Sequence, residues 1–222
     1  MRFLHHLTLS PYCRKVRLAL AEKRLPFELK SEKVWERRDA FMAMNPAGTV
    51  PVLEDDSGLI VPDSGVICEY LEDAYPDTTL LGTTVGARVE VRRLVAWFDG
   101  KFDAEVTRNL NGEKYLKRIA SSGHPDANAL RAGYANLREH LPYIGWLAET
   151  RKWLAGDAIS LADLAAAAHL SVLDFTGDVD WTVSGAARDW YARVKSRPSF
   201  RALLSDRVPG MSPPEHYADL DF

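Results

Sequence analysis

The chain has 222 residues, 46% of them hydrophobic, enough to bury one large or two modest cores and to exclude disorder over most of its length. A formal net charge of −3 gives no general pull toward nucleic acid, and no apolar run approaches the roughly 20 residues of a membrane-spanning helix, which excludes membrane insertion by that route. The N-terminus lacks a basic region followed by a long apolar one, and the two cysteines, Cys13 and Cys68, both fall in helix-patterned stretches. A reducing cytoplasm is the expected compartment.

In chain order, Arg2 to Leu7 reads as a strand, Pro11 to Lys23 as a helix and Phe27 to Glu32 as a second strand, a βαβ opening. A short helix from Glu36 to Met44 is stopped by Asn45-Pro46-Ala47-Gly48. Val52 to Glu54 and Leu59 to Val61 then form a hairpin across Asp55-Asp56-Ser57-Gly58, and Asp63-Ser64 caps a helix reaching Tyr75. The order βαβαββα over residues 1–78 predicts a small mixed sheet covered by helices, an α/β domain.

From Thr84 strand alternation disappears. Helices are predicted over about 84–119, 125–149, 160–176 and 184–196, with a short one after Pro198, giving an all-α domain over 84–204. Leu94, Trp97, Phe98 and Phe102 recur at helical spacing and are expected to pack. Ser160-Leu161-Ala162-Asp163 has the form of a capping box, so Asp163 is read as structural. The following Leu164 to Ala168 is small on every side and is expected to run through the middle of the domain, with His169 a core histidine. No cysteine or histidine pattern supports a metal site. The last stretch, 205–222, is an acidic tail interrupted by Pro209, Pro213 and Pro214; it either lies across the body or reaches a partner, and Tyr217, Leu220 and Phe222 favour docking.

Three short segments carry the chemistry. Ser10-Pro11-Tyr12-Cys13 occupies a strand-to-helix turn, where Ser10 replaces the first cysteine of a redox C-x-x-C pattern; the attacking thiolate is lost, and with it disulfide exchange. As an N-cap, Ser10 places its hydroxyl beside free N–H groups at the positive end of a helix, an environment for a thiolate or another anion. Val50-Pro51 sits between a turn and a strand, where a cis peptide fits and the Val50 backbone can pair with an extended ligand. At the start of the next helix, Ser64 can hold a carboxylate and Asp63 an ammonium, although plain N-capping explains the pair as well. Cys13, with Arg14 and Lys15 beside it, is the rival nucleophile, but it has no resolving partner nearby and is read as mainly structural.

Together with the Ser160 to Asp163 helix start, the segments 10–23 (SPYCRKVRLALAEK), 45–53 (NPAGTVPVL) and 63–71 (DSGVICEYL) resemble the landmarks of the glutathione S-transferase superfamily. The resemblance implies a thioredoxin-like N-terminal domain, an all-helical C-terminal domain and usually a dimer. It further implies that Ser10 stabilises the glutathione thiolate, Val50 and Pro51 bind the cysteinyl backbone, and Asp63 and Ser64 hold the γ-glutamyl end, with glutathione as substrate and no metal. Asp63 stands where the family more often has glutamate. A serine-type transferase acting on small electrophiles is one expectation.

A narrower resemblance gives the other. Trp35-Glu36-Arg37, Lys195 to Phe200, and the ending Asp206 to Gly210 with His216 to Phe222 are similar to the glutathione-transferase-like proteins of alphaproteobacteria that bind the tubulin-like division protein FtsZ. This implies a regulator of cell division that does not rely on catalysis. It calls for a partner surface outside the cleft, for which Trp35, set among charged residues, is the first candidate, although it can equally cover the domain junction; Leu130, Arg131, Asp219, Asp221 and Phe222 are weaker candidates.

Overall fold

The computed structural model describes residues 1–220, so Asp221 and Phe222 of the nominated partner surface lie outside the described residues. Strand β1 (Arg2–His6) runs through the middle of a four-stranded sheet of order β2-β1-β3-β4. Strand β2 (Phe27–Ser31) lies parallel to it, Arg2 opposite Phe27. On the other side β3 (Val52–Glu54) is antiparallel, Phe3 opposite Glu54, and β4 (Ile60–Pro62) closes the hairpin. Helix α1 (Pro11–Glu22) joins β1 to β2 and α3 (Ser64–Ala74) follows β4. The predicted helix over Glu36 to Met44 is split into a single 3₁₀ turn at Val34–Glu36 and α2 (Asp39–Met44). The cause is local: Arg37 has φ 46°, a left-handed backbone that no right-handed helix continues through.

The helical part begins with α4 (Val85–Ala96), which runs unbroken through Trp97–Leu116 into α5 (Lys117–Ile119). The middle stretch has the wider π-type turn, closed by the Lys117 N–H to the Gly112 carbonyl. Its sequence shows why that geometry packs well. Leu94, Phe98, Phe102, Val106 and Leu110 are all fully buried and recur every fourth residue, a row that drifts around a 3.6-residue helix and stays aligned on a wider one. Against this row pack α6 (Ala127–Thr150) and α7 (Leu161–Phe175); α8 (Gly185–Lys195) and α9 (Arg201–Leu204) complete the domain.

Every residue of α7 is buried, and its alanines let α1, α4 and the wide-turn stretch approach it closely. The capping box at its start is formed. Asp163 Oδ2 accepts from the Ser160 N–H at 3.0 Å, while Oδ1 accepts from the Leu154 N–H and the Trp190 indole, both at 2.9 Å. His169 is buried, 2.8 Å from the Thr107 hydroxyl through Nδ1.

The proline-containing tail lies across the body as far as Tyr217. Arg14 of α1 is fully buried and donates to Asp206 Oδ2 at 2.9 Å, Ser171 Oγ at 2.9 Å, the Tyr217 hydroxyl at 3.2 Å and the Thr8 carbonyl at 3.0 Å. Arg17, one turn on, forks onto both Asp206 oxygens, each at 2.9 Å. Tyr217 is buried edge-on against Phe175 at 5.2 Å between ring centres. Arg14 and Lys15 are therefore not free positive charges beside Cys13, as the sequence suggested; Lys15 is paired with Asp99 across the domain boundary.

Truncating one partner of such a pair leaves a buried charge uncompensated. Asp206→Ala is expected to cost about 3 kcal/mol in the unfolding free energy measured by urea titration. A loss under about 0.5 kcal/mol, the scale of an exposed pair, would show that Asp206 does not anchor the tail.

Candidate functional site

The turn after β1 delivers Ser10 to the start of α1 with extended backbone, φ −87° and ψ 120°, and its hydroxyl accepts from the Cys13 N–H at 3.3 Å. Pro11 follows as the first helical residue, where its missing N–H costs nothing. The Arg14 N–H donates to the Ser10 carbonyl at 3.0 Å, and Ser10 stands at the positive end of a twelve-residue helix. The Val50-Pro51 peptide is cis. Asn45 holds the preceding turn, its amide donating to the Thr49 carbonyl at 2.9 Å, and Gly48 takes φ 67° there, where a Cβ would stand 3.2 Å from the Met42 sulfur.

Ser10 and Val50 line one cleft of about 280 Å³ between the sheet domain and the wide-turn helix. Leu7, Pro11, Val34 and Leu116 supply apolar walls, and Tyr12 donates its hydroxyl to the Asp99 carbonyl at 3.0 Å. The helical wall is a polar row that the sequence reading missed: Asp103, Thr107 and Asn111 stand four residues apart, each one position after a member of the buried apolar row. That shared spacing was the available signal. Asp103 is paired with Arg108 at 3.1 Å, and the Asn111 amide donates to the Leu9 carbonyl at 2.8 Å, tying the helix to the residue before Ser10.

Asp63 and Ser64 are not among the walls of that cleft. Asp63 has φ 72° and ψ 133°, an uncommon backbone for a non-glycine residue, and its Oδ1 accepts from the Gly65 and Val66 N–H groups at 2.7 and 3.1 Å. The carboxylate thus caps α3, and Ser64 beside it is buried. Cys13 is no nucleophile in this setting. Burial pushes its thiol up to about 11, outweighing the Ser10 hydrogen bond and the Arg17 charge. Cys68 is likewise buried and raised to about 12. Among the described residues, no group of three or more His, Cys, Asp or Glu is placed to hold a metal ion.

Of the nominated partner residues, Trp35 sits on the 3₁₀ turn next to Val34 of the cleft wall and is 38% exposed. Leu130 is half-buried against the helical core, whereas Arg131 is exposed and bonds Asn128 of its own helix. Asp219 is exposed just past the anchored Tyr217.

Residues 4–79 match the family model of the glutathione S-transferase N-terminal domain, and residues 113–198 that of its C-terminal domain. The chain belongs to the glutathione S-transferase family. It is 50% identical to FtsZ-localized protein A of Caulobacter vibrioides (strain NA1000 / CB15N), covering 100% of this chain and 98% of that protein. A crystal structure of a glutathione S-transferase from Rhodospirillum rubrum F11 is 56% identical, covers both chains completely and superposes with a TM-score of 0.98. Another, from Methylobacterium radiotolerans JCM 2831 in complex with glutathione sulfonate, is 31% identical over 93% of this chain and 99% of that one, with a TM-score of 0.75.

Proposed function

We propose that this glutathione S-transferase family member is a cytoplasmic, dimeric regulator of bacterial cell division that binds FtsZ filaments through its outer surface. The observation that carries this is the full-length 50% identity to a protein named for its localisation with FtsZ. The geometry supports it. Trp35 presents a large aromatic ring to solvent between Lys33 and Glu36, a type of anchor that dominates interfaces when it becomes buried. The tail is tied down at Asp206 and Tyr217, and the exposed Asp219 follows just beyond. Arg131, half-buried Leu130 and, beyond the described residues, Asp221 and Phe222 complete the proposed surface.

The dimer fits a separate face. Val66 of α3, Val85 and Val89 of α4, and Trp146 of α6 are exposed on helices joined by the Arg92–Glu69 pair and by Arg93 bonded to Tyr143. Apolar side chains shared by adjoining helices are the material of a subunit contact.

In co-sedimentation with FtsZ polymers, the wild-type chain is expected in the pellet and Trp35→Glu in the supernatant, with apparent affinity lowered about tenfold or more, as for loss of an interfacial tryptophan. Equal pelleting of the two proteins would remove Trp35 from the surface.

A second reading, use of glutathione, is favoured by Ser10 at the helix start within a formed cleft. Here Ser10 would donate its hydrogen bond to the glutathione sulfur and favour the thiolate, Val50 and Pro51 would hold the cysteinyl backbone, and Asp63 and Ser64 the γ-glutamyl end. In calorimetric titration glutathione is expected to bind, and Ser10→Ala to raise the apparent pKa of the bound thiol, followed by its thiolate absorbance against pH. An unchanged thiol pKa would assign Ser10 to helix capping alone.

A further inference from the structure

Between Arg188 and Arg207 the chain carries six basic residues and two acidic ones, although its net charge is −3. Both acids are already engaged: Asp189 accepts from Arg188 at 3.1 Å, and Asp206 from Arg14 and Arg17. Three of the bases are engaged as well. Arg188 is on Asp189, Arg197 forks onto Glu22, and Lys195 is buried and donates to the His216 carbonyl at 3.0 Å. Arg193, Arg201 and Arg207 are exposed, and among the described residues none of them meets a carboxylate.

These cations follow one line. Segment 197–206 lies along α1: Arg197 and Ser199 bond Glu22 at one end, while the Ala202 carbonyl and Asp206 accept from Arg17 at the other. Arg201 falls between the two ends, Arg193 four residues before Arg197, and Arg207 directly after Asp206. Arg24, also exposed and without a carboxylate partner, stands two residues beyond Glu22. The Arg193 guanidinium lies 4.8 Å from the centre of the Trp153 ring, which Arg197 approaches to 5.7 Å. The ring fixes the Arg193 fork, so a planar carboxylate meets donors that lose little freedom on binding. Neighbouring charges of one sign repel, and an anion among them gains from each.

The anion is small rather than extensive. Outside 188–207 acidic residues outnumber basic ones, which opposes a membrane or nucleic acid broad enough to reach the rest of the surface. Among the described residues of 188–207 no large apolar side chain is exposed, so nothing enters a bilayer. From Arg17 to Glu22 α1 advances about 7.5 Å, a length that two or three residues of extended chain cover. We propose that the strip of Arg24, Arg193, Arg201 and Arg207 binds a short, extended acidic segment of a protein partner. Ser10 lies at the opposite end of α1 from Arg24, so the strip is separate from the cleft, and the proposal does not depend on the FtsZ reading.

The probes are capped octaglutamate and capped octaglutamine, titrated into the ¹⁵N-labelled full chain. Octaglutamate is expected to bind about tenfold more tightly or better, to shift the side-chain Nε–H resonances of Arg193 and Arg201, and to lose that advantage near 1 M salt, where the Debye length is about 3 Å. The double variant Arg193→Glu, Arg201→Glu should bind octaglutamate about tenfold more weakly; both residues are exposed, so folding is expected to be unaffected. Equal binding of the two peptides, shifts confined to other residues, or unchanged affinity in the folded double variant would overturn the proposal. Binding to phosphatidylglycerol vesicles or duplex DNA in place of octaglutamate would overturn it too, in favour of a lipid or nucleic-acid surface. Should the double variant fail to fold, the wild-type Nε–H shifts decide the matter unaided.

Discussion

A single guanidinium, that of Arg14, has to be satisfied entirely by protein, and much of the architecture follows from how that is done. One residue of α1 reaches the loop before it, the middle of α7 and two points on the tail. Removing a cation from water is expensive unless each of its donors finds an acceptor, so these elements are held in one relative arrangement. Helix α1 is the element that also presents Ser10. The cleft's anion-favouring corner and the docked tail therefore share a support. The Glu22–Arg197 fork, with both contacts at 2.7 Å, repeats the arrangement at the far end of α1.

The opposite wall of the cleft depends on the long helix. Residues four apart keep to one line on its wide turn, so an apolar row enters the core while the adjoining row of Asp103, Thr107 and Asn111 faces the cleft. Lys15, Asp99 and Tyr12 close the seam between the domains below it. The space left is walled by rigid elements on both sides, which suits a binding site.

Much of this was legible in the sequence. The strands β1 to β4, α1, α3 and the main helices were readable because apolar runs alternate with strong turn chemistry, as at Asn45-Pro46-Ala47-Gly48 and Asp55 to Gly58. Ser10 and Val50 could be placed in one site because their segments occur together and resemble the landmarks of the family. Asp63 and Ser64 are the plainer case: their capping role was visible in advance, and capping is what Asp63 does. What could not be read depends on distant partners. Arg14 looks solvent-facing until Asp206 and Tyr217 arrive from the far end of the chain. Asn111 looks like any helical asparagine until its amide meets Leu9. The left-handed turn at Arg37, which leaves Trp35 exposed on a separate 3₁₀ turn, has no signal such as glycine.

In the proposed function two regions of one molecule are distinct, an outer surface that would meet FtsZ and the inner cleft lined by Ser10 and Val50. The most direct measurement is the co-sedimentation of Ser10→Ala with FtsZ polymers, compared with the wild-type chain across a range of FtsZ concentrations. If the surface does the work, the two binding curves coincide within twofold. A Ser10→Ala chain that is folded but no longer pellets with FtsZ would contradict the separation and place the cleft itself in filament binding.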